Sequence, residues 1–583
     1  MSDLESTKDD GFLNSCTHIH GEPGCHLITV LLVTSSSQPD AGGCIIDRTD
    51  SGARPLSAIA AFSNLIPSLY ELKHDSPPTS NIAQKVYPES WSTGPHSLPT
   101  EIIQMIFQSV FESCVGLEDS VNGDDPALWI DEDPLTPSLF PYSLACVCLR
   151  WFRILRTIPV YWTRFVIILD AIETSLNAAR TTLEWAGNCP LKIIVTRHHG
   201  TSEAHDSERA GVGRAMEFLR PRIGRIWSLS FDVQHSSSIP SLWRESGRAR
   251  HLKVLTLMSR SDAARASQSS KWLPGGNNHE YKGKLKVPLL QQVTLSGHFL
   301  RNPLMGHPRL ASWFRHMTSL TICGDAASSG NPISLYRFLS VIDIFPSIRK
   351  LTVKDVHFDD NAPYPNLLML RPAILCLRRI TGRTALRGIL TRARMETSLR
   401  EDITIVDCTV HGFREPDPDS NIQFSSTNLT LASMDPSAMI EDLVSRWNGE
   451  RLSVISCPRM SRSFLERLCG EAAPMCLSHL RIVDCDNFNA GDVISLVQSR
   501  ETQATFVSLM GVPDDDSFTA LAELRVQGRG PPISVKRATW LAEHVETFSW
   551  DTVAKDGLRY LWDGSIRRLM MLPVSDSLEA SKY

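Results

Sequence analysis

The chain has 583 residues, far more than one hydrophobic core can organise, so two or more cores or an elongated repeat array are expected. Its apolar content of 42% and charged content of 21% are those of an ordinary globular protein. The formal net charge of −5 excludes a global positive field that would attract nucleic acid or anionic lipid.

Residues 1–95 are predicted to be weakly ordered, because Gly, Pro, Ser, Thr and Asp recur there without a sustained apolar face. One amphipathic helix is favoured at Leu56–Leu72, where apolar residues recur at helical spacing. The early apolar run Leu27–Val33 is far shorter than the ~20 residues of a membrane span, and acidic residues precede it. We therefore expect an intracellular protein, cytoplasmic or nuclear, with reduced cysteines and no membrane partner.

The N-terminal region also contains a group of soft metal ligands. Their spacing matches no closed tetrahedral zinc module, so neither a metal nor another cofactor is predicted; the residues are Cys16, His18, His20, Cys25 and His26.

A helical module is predicted at residues 96–170. A first helix begins after Pro99, which suits a first helical turn, and its apolar stripe is Ile102, Ile103, Ile106, Phe107 and Val110. Between Glu112 and Pro134 there are eight acidic residues and no basic one, which predicts a loop within an insertion at 112–141. A second helical stretch ends at Pro159, before Trp162, and contains Leu144, Val147, Cys148, Trp151, Phe152 and Leu155.

From about residue 185, an apolar-x-x-apolar-x-apolar unit recurs. The central residues are 23 to 38 positions apart, except for one gap of 52 that contains the weak copy Leu377-x-x-Ile380. Leucine-rich repeats have this strand unit and a period of ~20–29 residues. The clearest units are centred on Leu229, Leu255, Val293, Leu320, Leu351, Ile403, Leu429, Leu452 and Leu480. Three units continue to core cysteines, Cys408, Cys457 and Cys485.

Each unit predicts a short strand with alternate residues pointing inward, and covering helices are expected at 440–447, 463–469 and 492–499. The long insertion Asp262–Leu285 is expected to project as a loop. The predicted fold is therefore α/β, with the small helical module followed by a leucine-rich-repeat-like solenoid at 185–583. A doubly wound α/β domain is the alternative.

Enzyme signatures are poor. No dinucleotide fingerprint, P-loop, HExxH zinc motif or nucleophile elbow occurs. Cys146 and Cys148 are interpreted as buried thiols on the second helix, because neither has an evident base or cation to activate it. We expect a protein that is not an enzyme.

The order of short motifs in 98–170 resembles an F-box. Leu98-Pro99 with Glu101-Ile102 and Ile106-Phe107 is followed by Val147-Cys148 with Trp151, and then by Pro159 with Trp162. The resemblance is closest to the large F-box families of filamentous and mushroom-forming fungi, whose members often continue into degenerate leucine-rich repeats.

This resemblance implies a substrate-recognition subunit of a cullin-type ubiquitin ligase. Such a subunit docks on a Skp-family adaptor of the cullin complex and binds a target protein, here unknown, through its repeats. The residues expected to bind the adaptor are Leu98, Pro99, Ile102, Ile106, Phe107, Leu144, Val147, Cys148, Trp151, Pro159 and Trp162.

Two other functions stay open. The chain could be a non-enzymatic repeat scaffold whose F-box-like segment is only a structural cap, since terminal repeats need a covering element. It could also be a hydrolase or transferase with unrecognised chemistry.

Overall fold

The computed structural model describes residues 98–573 with gaps, and these residues lie within the compact unit Leu56–Tyr583. The described ranges are 98–114, 135, 140–198, 205–240, 242, 247–261, 285–301, 313–324, 332–359, 372–382, 385–392, 401–408, 424–434, 437–458, 460–470, 473–510, 518–555, 557–563 and 568–573. The predictions for Leu56–Leu72, for residues 262–284 and for the ligand group Cys16–His26 fall outside them.

Three helices and one 3-10 turn form the N-terminal helical module, residues 98–162. They are α1 (Thr100–Cys114), α2 (Tyr142–Ala145), α3 (Leu149–Arg156) and the turn Pro159–Trp162. Helix α1 begins after Pro99, as predicted, and buries Ile103, Phe107 and Phe111 at i, i+4 and i+8. The second predicted helix is instead two, because Cys148 has extended backbone (φ −162°, ψ 163°) between α2 and α3.

Aromatic rings hold this module together. The ring of Phe107 lies 5.1 Å from Trp151, and that of Phe111 lies 5.0 Å from Tyr161. Trp162 is fully buried, and its Nε1 donates to the carbonyl of Leu155 at 2.8 Å. The Phe107–Trp151 pair is edge-to-face, an arrangement that contributes stability beyond the area it buries.

A sixteen-stranded sheet follows, and its strand order is the chain order. Neighbouring strands are parallel except at the last two pairs, which are antiparallel. The strands are β1 (Arg164–Ile168), β2 (Leu191–Thr196), β3 (Ile226–His235), β4 (Val254–Ser261), β5 (Gln292–Ser296), β6 (Ser319–Cys323), β8 (Lys350–Lys354), β10 (Ile374–Arg378), β11 (Asp402–Val406), β13 (Asn428–Ala432), β15 (Arg451–Ile455), β16 (His479–Val483), β17 (Glu523–Arg529), β18 (Thr547–Val553), β19 (Leu558–Asp563) and β20 (Arg568–Pro573).

Two short parallel pairs, eight further α-helices and four further 3-10 turns accompany the sheet. The pairs are β7 (Ile333–Ser334) with β9 (Phe358–Asp359), and β12 (Phe424–Ser425) with β14 (Trp447–Asn448). The helices are α4 (Ile172–Trp185), α5 (His205–Leu219), α6 (Leu335–Asp343), α7 (Ala385–Arg392), α8 (Ser437–Val444), α9 (Arg462–Arg467), α10 (Ala490–Leu509) and α11 (Val535–His544). Helices α8, α9 and α10 overlap the three predicted covering helices.

The α/β class is therefore confirmed, with one large and mostly parallel sheet. Among the described strands the order never reverses, whereas a doubly wound sheet reverses at its switch point. The sheet begins at Arg164, one strand before the boundary at 185 that the sequence suggested.

Two columns of core residues cross the sheet in register, and the nine predicted central residues all lie in the first. That column is Leu229, Leu255, Val293, Leu320, Leu351, Leu375, Ile403, Leu429, Leu452, Leu480, Leu524 and Phe548. The second is Phe231, Leu257, Leu295, Ile322, Val353, Leu377, Ile405, Leu431, Val454, Ile482, Val526 and Trp550.

One predicted unit is wrong. Leu377-x-x-Ile380 was assigned to the gap of 52, but Leu375 pairs with Leu351 and Ile403 in the first column. The unit centred on Leu375 begins at Pro372, which is not aliphatic. The aliphatic pattern is therefore found five positions later, beginning at Leu377.

A left-handed turn ends six consecutive strands of the sheet: β8, β10, β11, β13, β15 and β16. Its first residue has φ between 49° and 58°, and these residues are Asp355, Arg379, Asp407, Ser433, Ser456 and Asp484. The next residue turns back into the core. It is a cysteine in three strands, Cys408, Cys457 and Cys485, and all three are buried, as predicted. Their thiols donate to a carbonyl of the preceding strand: Leu377, Leu431 and Val454 respectively.

Candidate docking surfaces

The predicted adaptor-binding residues divide into two groups. Four are buried in the core of the helical module: Phe107, Leu144, Trp151 and Trp162. Their side chains hold the module together and do not lie on its surface. The other seven are exposed or half-buried: Leu98, Pro99, Ile102, Ile106, Val147, Cys148 and Pro159.

Exposed apolar side chains on the module exceed those the sequence pattern identified. Ile102 is 41% exposed and Val147 46%, while Met105 reaches 66%. Met105, Leu149 and Val160 were not predicted. Met105 could have been predicted from the sequence, because it lies three residues after Ile102 and therefore on the same side of the helix. We call the seven accessible predicted residues together with these three the module surface.

Two hydrogen bonds bring the parts of the module surface together. Arg150 on α3 donates to the carbonyl of Leu98 at 2.6 Å. The hydroxyl of Tyr161 donates to Oε1 of Gln108 on α1 at 3.0 Å. A shallow depression between α1 and the turn that follows α3 is lined in part by Met105 and Ile158. Five of its other lining residues are polar or charged: Glu101, Gln104, Gln108, Ser109 and Glu112. The exposed apolar side chains of the module surface, rather than this depression, suit contact with another protein.

Burial favours the protonated form of two titratable side chains in the module. Cys146 lies just after α2, and burial raises the pKa of its thiol. Burial also raises the pKa of Tyr142, whose hydroxyl donates to the carbonyl of Arg164. Both shifts have the same cause, since burial disfavours the charged form of each group.

The module is joined to the sheet by its aromatic core. The Trp162 ring lies 4.6 Å from Trp185 on α4, and the Phe152 ring lies 5.2 Å from the same indole. Strand β1 follows Trp162 almost directly, and its five residues are all buried. The buried residues of the module and of the sheet consequently form one continuous hydrophobic cluster.

A buried ionic network lies at the carboxyl ends of β1 to β3. Nε of Arg197 is 2.9 Å from Asp170, and its Nη1 is 3.1 Å from Glu208. Glu208 also accepts the backbone N–H groups of Gln234 and His235. Burial lowers the pKa of Arg197, but its carboxylate partners Asp170 and Glu208 together raise it by more, so the net shift is upward. Sequence patterns cannot show this network, because its members lie on different elements.

A second accessible surface lies on the sheet. It is the face opposite the core columns, and we call it the outer face. Its residues alternate with the core residues along each strand. One row of this face consists mainly of Thr and Ser, and another passes from cations to aliphatic residues. Strands β11, β13 and β15 contribute half-buried residues to both rows, and β16 contributes the exposed Arg481 to the first and the half-buried Val483 to the second.

Within the described ranges, no group of three or more His, Cys, Asp or Glu could hold a metal ion. The same ranges contain no helix with the length and hydrophobicity needed to cross a bilayer.

Comparison with known proteins gives no assignment. No protein-family model matches this sequence, and no curated protein matches it.

Proposed function

We propose that the chain is a non-catalytic substrate-recognition subunit of a cullin-type ubiquitin ligase, acting in the cytoplasm or nucleus. The helical module would dock on a Skp-family adaptor, and the repeated strands, stacked as a leucine-rich-repeat-like solenoid, would bind a target protein. Holding the target beside a ubiquitin-conjugating enzyme raises the effective concentration of the two reactants.

The observation that carries the proposal is the exposed apolar module surface. It lies on a segment with the motif order of an F-box. Five of its apolar side chains are 41–66% exposed and so leave apolar area free for a partner: Ile102, Met105, Val147, Leu149 and Val160. An apolar surface of this kind is the usual core of a protein–protein interface.

The strand order supports the second half of the proposal. Twelve strands from β3 to β18 repeat the same two core columns, and consecutive strands are always neighbours among the described residues. Repeats that contact only their neighbours are typical of solenoids.

Co-purification tests the proposal. The full chain is expressed with a Skp-family adaptor and a cullin, and the adaptor is expected to co-purify with it. Leu98→Ala combined with Pro99→Ala should weaken that association. Failure of the intact chain to bind adaptor at micromolar concentration would contradict the proposal.

The contact of Trp162 with Trp185 favours a second function, that of a structural cap. In this alternative the module only covers the first strand of a repeat scaffold. Deleting residues 97–162 would then unfold the sheet, and the intact chain would bind no adaptor. If the module both covers the sheet and recruits the adaptor, the deletion unfolds the sheet but the intact chain binds.

A further inference from the structure

A row of six side chains crosses the outer face of the sheet. Pairing in register places Lys354 beside Arg378, Arg378 beside Val406, and then continues through the next three strands. We call these residues the outer row: Lys354, Arg378, Val406, Ala432, Ile455 and Val483.

The outer row is aliphatic in its last four strands, β11, β13, β15 and β16. Val406, Ala432, Ile455 and Val483 are half-buried rather than enclosed. Two residues earlier in the same strands, the residues are Thr404, Thr430, Ser453 and Arg481. A contiguous aliphatic strip on an accessible sheet face marks a surface for another molecule.

The row ends in two cations. Lys354 and Arg378 form no ion pair with any described residue, whereas the nearby Asp355 pairs with Arg379. Arg481 and Arg525 add positive charge near the opposite end of the strip, on β16 and β17, although Arg525 pairs with Glu523. Acidic side chains also lie close to the row, because Asp355, Asp407 and Asp484 directly follow Lys354, Val406 and Val483 along the chain.

The dimensions match a short extended peptide. Five strand intervals separate β8 from β16 in the sheet order, and neighbouring strands lie about 4.8 Å apart, so the row spans roughly 24 Å. An extended chain rises about 3.3 Å per residue, so a segment of roughly seven or eight residues covers the row.

We propose that the outer row binds an extended target segment in which acidic residues precede or follow a short aliphatic run. The acidic side chains pair with Lys354 and Arg378, and the aliphatic side chains pack on Val406, Ala432, Ile455 and Val483. The aliphatic strip favours a peptide over a nucleic acid, whose backbone would need phosphate contacts along the whole row. This proposal rests on the proposed function, because it names the kind of target that the repeats recruit.

The test is selection from a display library of random twelve-residue peptides on the immobilised full chain. Sequences with adjacent acidic and aliphatic residues are expected to be enriched. Their affinity should fall at least about tenfold in Lys354→Glu with Arg378→Glu, and also in Ile455→Asp, since the charges or the apolar contact are lost. Added salt should weaken the first contact more than the second.

The matched control is Arg209→Glu with Lys536→Glu, an equal change of charge at exposed positions on α5 and α11. Selected peptides should bind this variant like the unchanged chain. No enrichment, enrichment of basic peptides, or equal binding to the charge-reversed outer row would overturn the proposal. Preference for a labelled single-stranded oligonucleotide over the selected peptides would overturn it too.

Adaptor binding is measured on the same protein samples. A chain that selects acidic–aliphatic peptides but binds no adaptor contradicts the proposed function and leaves the outer row a peptide site. A chain that binds adaptor but selects no such peptide contradicts only the outer-row proposal.

Discussion

The core of the helical module consists of a few aromatic rings, and no ring has an equivalent elsewhere in the module. The core of the sheet instead repeats the same pair of positions from strand to strand. In the module, Trp162 contacts both its own helices and Trp185 on α4, so it has no substitute. In the sheet, Ile405 contacts equivalent residues on either side, Leu377 and Leu431. We therefore expect a core substitution in the module to destabilise the adjoining elements as well. A core substitution in the sheet should destabilise only the neighbouring strands.

Loss of the Trp162 ring is expected to have the largest effect. Trp162→Ala should lower the free energy of unfolding by about 3–5 kcal/mol, because a fully buried ring is replaced by a cavity at the junction with α4. Urea denaturation followed by circular dichroism measures it. The control is Trp540→Ala on α11, where the ring is half-buried and stacks on His544. Equal effects of the two changes would remove the distinction between the regions.

Arg500 is an exception within the sheet region. It is fully buried and donates to several backbone carbonyls, including those of Leu468, Leu477 and Thr519. Burial lowers the pKa of Arg500 to about 10, which leaves it protonated at neutral pH. Arg500→Met should therefore cost about 3 kcal/mol, because buried carbonyls lose their donors.

Hydrogen exchange locates this effect. Protection should fall around residues 468–477 and 518–519 rather than across the sheet. Arg462→Met is the control, since Arg462 is 72% exposed and its ion pair with Glu466 is screened by solvent. Equal loss of protection in β3 and β4 would show that damage in this region is not local.

Ile405→Val tests whether a small change in a core column affects only the neighbouring strands. It should cost about 1 kcal/mol, because one buried methylene is lost. Faster hydrogen exchange is expected in β10, β11 and β13 only. Thr404→Ser removes one carbon from the outer face of the same strand and should cost less than about 0.5 kcal/mol. Exchange that accelerates in the helical module would contradict local behaviour.

The last prediction involves no substitution and concerns how slowly the buried cysteines react with an alkylating reagent. Burial raises the pKa of Cys408 to about 11 and that of Cys485 to about 12, so little thiolate forms at pH 8. Iodoacetamide followed by peptide mass spectrometry should modify both at least about a hundredfold more slowly in the native chain than in urea. Rapid labelling of the native chain would mean that the structure around Cys408 and Cys485 opens readily.

The core columns could be predicted because alternation along a strand leaves a period in the sequence. Leu351, Ile403 and Leu452 show that period with strong aliphatic residues. Strand β10 was misplaced where Pro372 replaces an aliphatic residue. The long step from Leu480 to Leu524 contains the twenty-residue helix α10, which hides the period before β17.

The surface of the module was harder to predict. Its helical stripe gave the apolar residues, but tertiary packing decides that Phe107 is buried and that Ile102 is exposed. The network of Arg197 and the hydrogen bonds of Arg500 join residues distant in sequence. No local pattern signals such partners, so they could not be predicted.

Direct titration of the full chain with a purified Skp-family adaptor tests the central proposal. The unchanged chain is expected to bind with a dissociation constant in the micromolar range or below. Ile102→Asp with Met105→Asp should abolish binding without unfolding the chain, while Leu509→Asp, an exposed apolar position on α10, should leave it unchanged. No binding by the unchanged chain, or undiminished binding by the Ile102 and Met105 variant, would contradict adaptor docking through the module surface.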